Sequence, residues 1–241
     1  EAGKAAVVLR PKINALNDKL KDLDRFMIPG THGENGFSSP TPVCDGKAVY
    51  AIFGNGVAAA FDLEGKRLWS VFVDKPANNN WGQAASPVIA GGKLVVYFKK
   101  LVALDLATGK EAWRADVQHS FGTPAAAAIG SVEIIITAMG DFVRASDGKV
   151  LAKGLARNPY NGPLLANGVA YFIDEGGAKA LELPKEAGDT LAPKNLWTAK
   201  TKPQADRYYS SPVLHEGLLY AVTQAGALSV LDATSGEVVA T

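Results

Sequence analysis

Three aspartates recur in similar contexts along the chain and are the first candidates for a chemical role. Asp62, Asp105 and Asp232 each end an apolar segment and each precede a glycine by three or four residues. Carboxylates are favoured ligands of hard cations such as Ca²⁺, so a shared metal site is one interpretation. The alternative is that each carboxylate accepts hydrogen bonds from its own turn. We favour the turns, because equivalent positions in different repeats are spread apart and do not converge on one ion.

The sequence shows no local signature of an enzyme. His32, His119 and His215 lie in different segments, and no pair of histidines has the spacing of a zinc site. The one cysteine, Cys44, cannot form an internal disulfide. A nucleophile elbow and a glycine-rich phosphate loop are both missing from the sequence. We therefore expect no catalytic residue and no metal site.

The composition argues against a nucleic-acid-binding protein and against a membrane-spanning protein. The 241 residues include 25 Lys and Arg against 24 Asp and Glu, which gives a net charge of +1. This balance lacks the positive field that nucleic-acid-binding proteins present. No apolar run approaches the roughly 20 residues that span a bilayer. We therefore expect neither a nucleic-acid partner nor a transmembrane segment.

An internal repeat organises most of the chain. Each copy begins with a small residue and a proline, continues through an apolar β-branched run and an apolar-x-Asp segment, and ends with glycine and often tryptophan. The repeat prolines are Pro42, Pro87, Pro124, Pro163 and Pro212, and the tryptophans are Trp69, Trp113 and Trp197. Each copy holds four short strand candidates separated by turn residues, which is typical of a propeller blade. One blade cannot bury both of its faces, so we expect the copies to stack with the tryptophans between them.

The repeat predicts an all-β fold, a β-propeller of four-stranded antiparallel blades over residues 37–241. About five blades are visible in the sequence. Their approximate bounds are 37–74, 82–117, 122–157, 160–199 and 208–241.

Residues 1–36 differ from the repeats and form an N-terminal helical segment or an insertion between blades. Apolar residues recur at three- and four-residue steps up to Met27, which predicts an amphipathic helix from Pro11 to Met27. Pro11 suits the first turn of this helix, and Pro29-Gly30 ends it. Its polar face mixes both signs of charge and lacks aromatic anchors, which argues against a membrane-surface helix. We favour packing on the propeller rim over contact with a partner.

The repeat resembles the pyrroloquinoline-quinone-type (PQQ-like) β-propeller repeat. The resemblance is carried best by the segments SPVIAGG at 86–92 and LVALDLATGKEAW at 101–113, and it extends over five copies. The sequence looks most like exported bacterial PQQ-binding-like propeller proteins and the propeller lipoprotein of outer-membrane assembly. The resemblance implies a periplasmic or otherwise exported protein. It also implies that the five blades are part of a ring of roughly seven or eight.

The loops that lead into the first strand of each blade collect around the central channel, where propellers tend to bind ligands. Seven residues of these loops are the candidates for binding a partner or ligand: Asn80, Trp81, His119, Arg157, Tyr160, Arg207 and Tyr208. Arginine suits carboxylates, and aromatic rings suit flat ligands. The alternative is that the aromatic residues fill blade junctions while the polar groups satisfy loop backbone. We favour that alternative for Phe37 and Phe121.

Two functions from different classes are compatible with these residues. The first is a non-catalytic exported propeller that acts as a protein-interaction scaffold or ligand-binding module, with no cofactor. The alternative, implied by the resemblance, is a PQQ- and calcium-dependent quinoprotein dehydrogenase of alcohols or sugars, with part of its site outside this segment. Such enzymes bind calcium through acidic and amide groups and commonly carry a disulfide of adjacent cysteines. Because Cys44 stands alone and only Glu34 and Asp206 are acidic in the channel-facing loops, we favour the scaffold.

Overall fold

The computed structural model describes residues 2–23, 32–33, 35–75, 81–201 and 206–241. This part of the chain contains one α-helix, α1 (Ala2–Leu23), and twenty β-strands. In chain order the strands are β1 Val43–Cys44, β2 Ala48–Phe53, β3 Val57–Asp62, β4 Arg67–Phe72, β5 Val88–Ala90, β6 Lys93–Tyr97, β7 Leu101–Asp105, β8 Glu111–Ala115, β9 Ala125–Ile129, β10 Val132–Ile136, β11 Phe142–Arg144, β12 Val150–Ala152, β13 Leu164–Ala166, β14 Val169–Asp174, β15 Gly177–Glu182, β16 Lys194–Ala199, β17 Val213–His215, β18 Leu218–Val222, β19 Leu228–Asp232 and β20 Val238–Ala240.

The strands form five four-stranded antiparallel sheets, each built from four consecutive strands. Within every sheet the spatial order follows the chain, from β1-β2-β3-β4 in the first to β17-β18-β19-β20 in the last. Short turns connect neighbours, because antiparallel partners can be joined by tight hairpins. This meander is the architecture of a propeller blade, and the predicted all-β fold with four-stranded antiparallel blades is confirmed.

The blades pack face to face because successive side chains of a strand point to opposite sides of its sheet. In β6, Leu94 and Val96 pack against the first sheet, whereas Val95 and Tyr97 pack against the third. All four side chains are fully buried. The described residues therefore form four apolar layers, one at each junction between consecutive blades.

Tryptophans close three of these junctions in the same way. The indole Nε1 of Trp69, on β4, donates a hydrogen bond to the Leu106 carbonyl of the next blade at 2.8 Å. Trp113 and Trp197 make the matching bonds at 2.9 Å, to the carbonyls of Ala145 and Ala233 respectively. The tryptophans are thus packing residues between blades, as the repeat predicts.

The three recurring aspartates each hold a turn between a third and a fourth strand, and Trp69 and Trp197 contact the turns of Asp105 and Asp232. The Oδ1 atom of Asp105 accepts a hydrogen bond from the N–H of Thr108 at 2.8 Å, and Asp232 accepts one from Ser235 at 2.8 Å. The bonds from the Thr108 hydroxyl and N–H hold the pKa of Asp105 below its ordinary value. No group of three or more His, Cys, Asp and Glu side chains could hold a metal ion in the described ranges. Asp62 Oδ1 likewise accepts a hydrogen bond from the Lys66 N–H at 2.7 Å, so each of the three carboxylates is bound to its own turn.

The junction between the third and fourth blades is built differently. Ala152 lies opposite Phe142, in the position that Trp69 holds in the first blade. The polar insertion of the fourth repeat reaches back across this junction. Leu191 of the insertion is buried, and its N–H donates to the Leu151 carbonyl at 2.9 Å. An apolar side chain from the insertion thus helps to fill the space that an indole fills elsewhere.

Helix α1 starts earlier than the sequence pattern predicts. It begins at Ala2, so Pro11 lies in its interior and not in its first turn. Ala-rich sequence before Pro11 has high helix propensity, which extends the helix in spite of the proline. Residues 24–31 lie outside the described part, so the predicted end at Pro29-Gly30 stays a prediction. The side chains at 9–20 are all exposed, so the rim packing that we favoured is not seen for them. Among the described residues, no helix combines the length and the hydropathy of a membrane-spanning segment.

A matched pair of glycine substitutions tests the contact between indole and turn. Gly109 has a φ of +71°, and an added Cβ would lie 2.7 Å from Trp69 Cε3. Gly65, in the equivalent turn of the first blade, has a φ of +86° and open space around it. Both Ala variants strain the backbone, but only Gly109→Ala displaces an indole. We expect Gly109→Ala to lower the free energy of unfolding by about 1–3 kcal/mol more than Gly65→Ala in urea denaturation. Equal losses would show that the indole contact does not constrain the turn.

Candidate functional site

The loops that lead into the blades share one face of the protein with the turns between second and third strands. This follows from the antiparallel order, since alternate connections of a meander fall at the same end of the sheet. The aspartate turns join third and fourth strands and lie at the opposite end. We call the first surface, with the loops before β1, β5, β9, β13 and β17, the mouth face.

A cavity of about 540 Å³ opens on the mouth face. Its lining residues come from all five of these loops and are Asn35, Trp81, Ala84, Phe121, Tyr160, Arg207 and Tyr209. Loops of five different blades therefore converge on one cavity. Its volume lies within the range of roughly 300–1,000 Å³ that is usual for small-molecule sites.

Aromatic rings form most of the wall of this cavity. Phe121 and Tyr160 are stacked, with centroids 6.3 Å apart and an interplanar angle of 15°. Tyr160 meets Tyr209 edge to face at 5.2 Å. Trp81 is 60% exposed and stacks on His32 with the ring centroids 5.0 Å apart. Rings fixed in this way offer apolar faces on which a flat ligand can stack.

Arg207 is the cationic group of the wall. Its guanidinium carbon lies 5.3 Å from the centroid of the Tyr160 ring, and its Nη1 donates a hydrogen bond to the Tyr209 hydroxyl at 3.2 Å. The bond to Tyr209 raises the pKa of Arg207, so the guanidinium stays charged. The two phenol side chains hold the cation in place, and Glu175 contributes a weaker coulombic attraction.

Buried amides fix the loops that carry these rings. Asn161 Nδ2 donates to the carbonyls of Ile173 and Tyr208, at 3.0 and 2.8 Å. Gln83 Nε2 donates to the Tyr97 carbonyl. Both amides are only 3% exposed, so they satisfy buried backbone carbonyls that water does not reach. Hydrogen bonds within the protein therefore hold these loops in position.

The structure brings part of the predicted set to the cavity. The predicted residues that line it are Trp81, Tyr160 and Arg207. Asn80 lies outside the described residues. His119 is half-buried between the rings of Tyr97 and Phe121, with centroids 5.8 and 5.7 Å away. It supports the wall from behind.

Tyr208 does not reach the cavity. Its side chain is 1% exposed, and its hydroxyl lies 3.2 Å from Ser229 Oγ in the core between the fourth and fifth blades. The next residue, Tyr209, has the exposed ring that lines the cavity. Neighbouring side chains of an extended segment point in opposite directions, so only one tyrosine of the pair can face the mouth.

Arg157 lies in a second and smaller depression of about 360 Å³ beside the turn between β14 and β15. Its Nη1 is 3.5 Å from Glu175 Oε1 and 3.7 Å from Asp174 Oδ2. Burial raises the pKa of Asp174, which the arginine opposes. Two carboxylates thus engage Arg157, and it is not part of the aromatic cavity.

Four lining residues were missing from the predicted set. Asn35 and Tyr209 lie in the predicted loops, and their position ahead of the repeat prolines was the signal that could have found them. The sequence favours Phe121 as a filler of a blade junction, whereas in the structure it forms part of the wall. Ala84 carries no chemical signal that a sequence pattern could reveal.

The described lining of the cavity does not suit a calcium ion. Calcium takes about six to eight oxygen ligands, and carboxylates are usual among them. The described lining residues offer as oxygen ligands the amide of Asn35 and the phenols of Tyr160 and Tyr209, but no carboxylate. A quinone cofactor held with calcium would therefore need ligands from other residues.

The fold and the cavity define this chain as a β-propeller with PQQ-like repeats and an aromatic, cationic mouth. The family model described as "Outer membrane protein assembly factor BamB" matches residues 54–241, so the chain belongs to this family. No curated protein sequence matches it.

Solved structures of propellers share the fold at low sequence identity. BamB from Moraxella catarrhalis superposes with a TM-score of 0.63 and 15% identity, covering 84% of this chain and 60% of that one. Quinohemoprotein alcohol dehydrogenase from Comamonas testosteroni gives 0.58 and 17%, covering 88% and 43%. The computationally designed Ika8 protein gives 0.52 and 12%, covering 83% and 60%. The chain thus spans 60% of the length of the BamB chain, and these similarities show the fold alone.

The half-buried imidazole of His119 links the stability of the mouth to pH. Burial lowers the pKa of His119 below its ordinary 6.5, so the folded state favours the neutral ring. Its contribution to stability is present above the unfolded pKa and is lost as the pH falls through the folded pKa. We expect urea denaturation to show a smaller loss of stability for His119→Phe than for the unmodified protein between about pH 7.5 and pH 5. The same loss in both proteins would contradict the prediction.

Proposed function

We propose that this chain is a non-catalytic, exported propeller module that binds a protein partner or a small ligand in the aromatic cavity of the mouth face. The observation that carries the proposal is the environment of Arg207. Its charged guanidinium is held by Tyr160 and Tyr209 at the wall of a cavity whose described lining has no carboxylate. A cation in this position can bind a carboxylate or a related anion.

The open aromatic faces define the rest of the ligand. Trp81, which is 60% exposed, and Tyr209, which is 46% exposed, offer surfaces for a flat or extended group, since stacking needs only an apolar or π face. A ligand that carries a carboxylate beside an aromatic or apolar group would use both features. The described lining supplies stacking and hydrogen-bond donation, but no base within reach of a nucleophile. This chemistry supports binding over catalysis.

The family supports a protein partner and an exported location. Its description is that of an outer membrane protein assembly factor. Side chains of an extended peptide combine apolar groups with carboxylates, and the convergence of five loops gives a peptide several points of contact. We therefore place a protein segment first among the ligands, and the periplasm first among the locations.

Two arginines on the same face provide a matched test. The probe is 2-naphthoate, a flat aromatic carboxylate, with 2-naphthamide as its neutral analogue. We expect Arg207→Gln to weaken naphthoate binding about tenfold in calorimetry, because one charge-assisted contact is lost, and to leave naphthamide binding unchanged. The control is Arg157→Gln, which removes an exposed arginine already engaged by two carboxylates and should change neither affinity. Equal effects of the two variants, or no effect of Arg207→Gln, would contradict the proposal.

The alternative function is a PQQ- and calcium-dependent dehydrogenase of alcohols or sugars, completed by residues outside the described part. One observation favours it: PQQ is a flat ring system with carboxylates, which the ring faces of the wall and Arg207 would suit. The described lining, however, offers no carboxylate for calcium. Under the scaffold proposal, the affinity of the cavity for PQQ therefore does not depend on calcium.

Titration with PQQ, with and without calcium, separates the two functions. We expect the absorbance of PQQ to show either no binding or the same affinity in both conditions, and no dye-linked oxidation of ethanol or glucose. Tighter binding in calcium together with alcohol or sugar oxidation would replace the scaffold by the dehydrogenase.

A further inference from the structure

Helix α1 presents a narrow row of exposed apolar side chains. Leu9, Ile13, Leu16 and Leu20 are 51%, 53%, 60% and 56% exposed. Steps of four, three and four residues separate them, which is the spacing of the apolar positions of a heptad repeat. In the sequence, Ala2, Ala6 and Leu23 continue the same spacing to both ends of the helix. We call the four exposed residues the seam.

The width of the seam indicates the shape of its occupant. At 100° per residue the four positions fall within about 60° of the helix surface. A helix that packs on a globular core carries an apolar face about 100° wide or more, whereas a row restricted to these two heptad positions is the seam of a coiled coil. A helix lying on a lipid surface also needs an extended apolar face, usually with aromatic anchors. The geometry therefore favours one partner helix.

Cations stand on both sides of the seam. Lys12 and Lys19 lie along one edge and Arg10 along the other, at the positions that face the flanks of a partner in a coiled coil. A second copy of α1 complements this pattern poorly. An antiparallel pair would bring lysine edge against lysine edge. A parallel pair would place Lys12 opposite Asn17, and the position opposite Lys19 lies outside the described helix. Glutamate or aspartate on the flanks of a different helix would face all three cations favourably.

We propose that α1 is a docking helix for a single partner helix whose flanking positions are acidic. Pro11 is compatible with this role, because it lies about 170° around the helix from the centre of the seam and its ring does not enter the contact. None of the seam residues lines the mouth cavity. The docking helix is therefore a second binding surface, and it does not depend on the function proposed for the mouth.

A pair of synthetic peptides tests the docking helix. Each carries about three heptads with isoleucine and leucine at the apolar positions. The flanking positions are glutamate in one peptide and lysine in the other. Fluorescence anisotropy with the full chain should show the glutamate peptide binding at least about tenfold more tightly, with a preference that weakens in high salt. The double variant Lys12→Glu and Lys19→Glu should reverse the preference.

Substitutions on two sides of the helix provide the structural control. The double variant Ile13→Gln and Leu16→Gln should abolish binding of the glutamate peptide, because it removes half of the seam while keeping good helix formers. Val7→Gln should preserve binding, since Val7 is an apolar residue of similar exposure, 73%, on the opposite side of the helix. Unchanged circular dichroism would confirm that both variants keep the fold.

Several outcomes would overturn the proposal. Equal binding of both peptides, or binding of neither, would contradict the proposal of an acidic partner helix. Seam-dependent dimerisation in sedimentation, without peptide binding, would replace it by a second copy of the chain. Seam-dependent binding to phosphatidylglycerol vesicles, again without peptide binding, would replace it by a membrane surface.

Discussion

The contact between an indole and the turn of the following blade is the interaction on which the rest of this structure depends. A four-stranded sheet with two apolar faces needs a neighbour on each side. At three junctions a tryptophan joins such neighbours twice, through its ring face against a glycine and through its Nε1 bond of 2.8–2.9 Å to a carbonyl. Repetition of this contact fixes successive blades in a common orientation. The loops that form the mouth face converge for that reason.

The junction without an indole shows which part of this constraint can be replaced. Ala152 removes the ring, and the insertion supplies Leu191 as apolar filling and a backbone bond as the polar tie. An ion pair between Lys149 and Asp189, 2.7 Å long, adds a contact nearer to solvent. Filled volume and one satisfied backbone carbonyl are common to both solutions. The residue that provides them differs, since it is a tryptophan at three junctions and a leucine of the insertion at the fourth.

The blades were predictable from the sequence because their determinants are local. Turn glycines, capping aspartates and alternating apolar residues each act within a few positions. The residues that line the cavity could not all be predicted, because which side chain faces the cavity depends on contacts between distant parts of the chain. Tyr208 and Tyr209 are equivalent in type, and a single step of register decides which one faces the cavity. Local propensity also misplaced the start of α1, because a proline suits either the first turn or an exposed interior position.

Arg157 and Arg207 show how neighbouring residues determine whether the charge of an arginine on this face is already engaged. Both are exposed arginines in loops that lead into blades. Two carboxylates of an adjacent turn engage Arg157, so its charge is already paired within the protein. Two tyrosines contact Arg207, and Glu175 adds only a weaker coulombic attraction. The docking helix follows the same principle, with cations beside apolar side chains. Although the net charge is only +1, the ligands that we propose for both surfaces are acidic because of the local arrangement of cations.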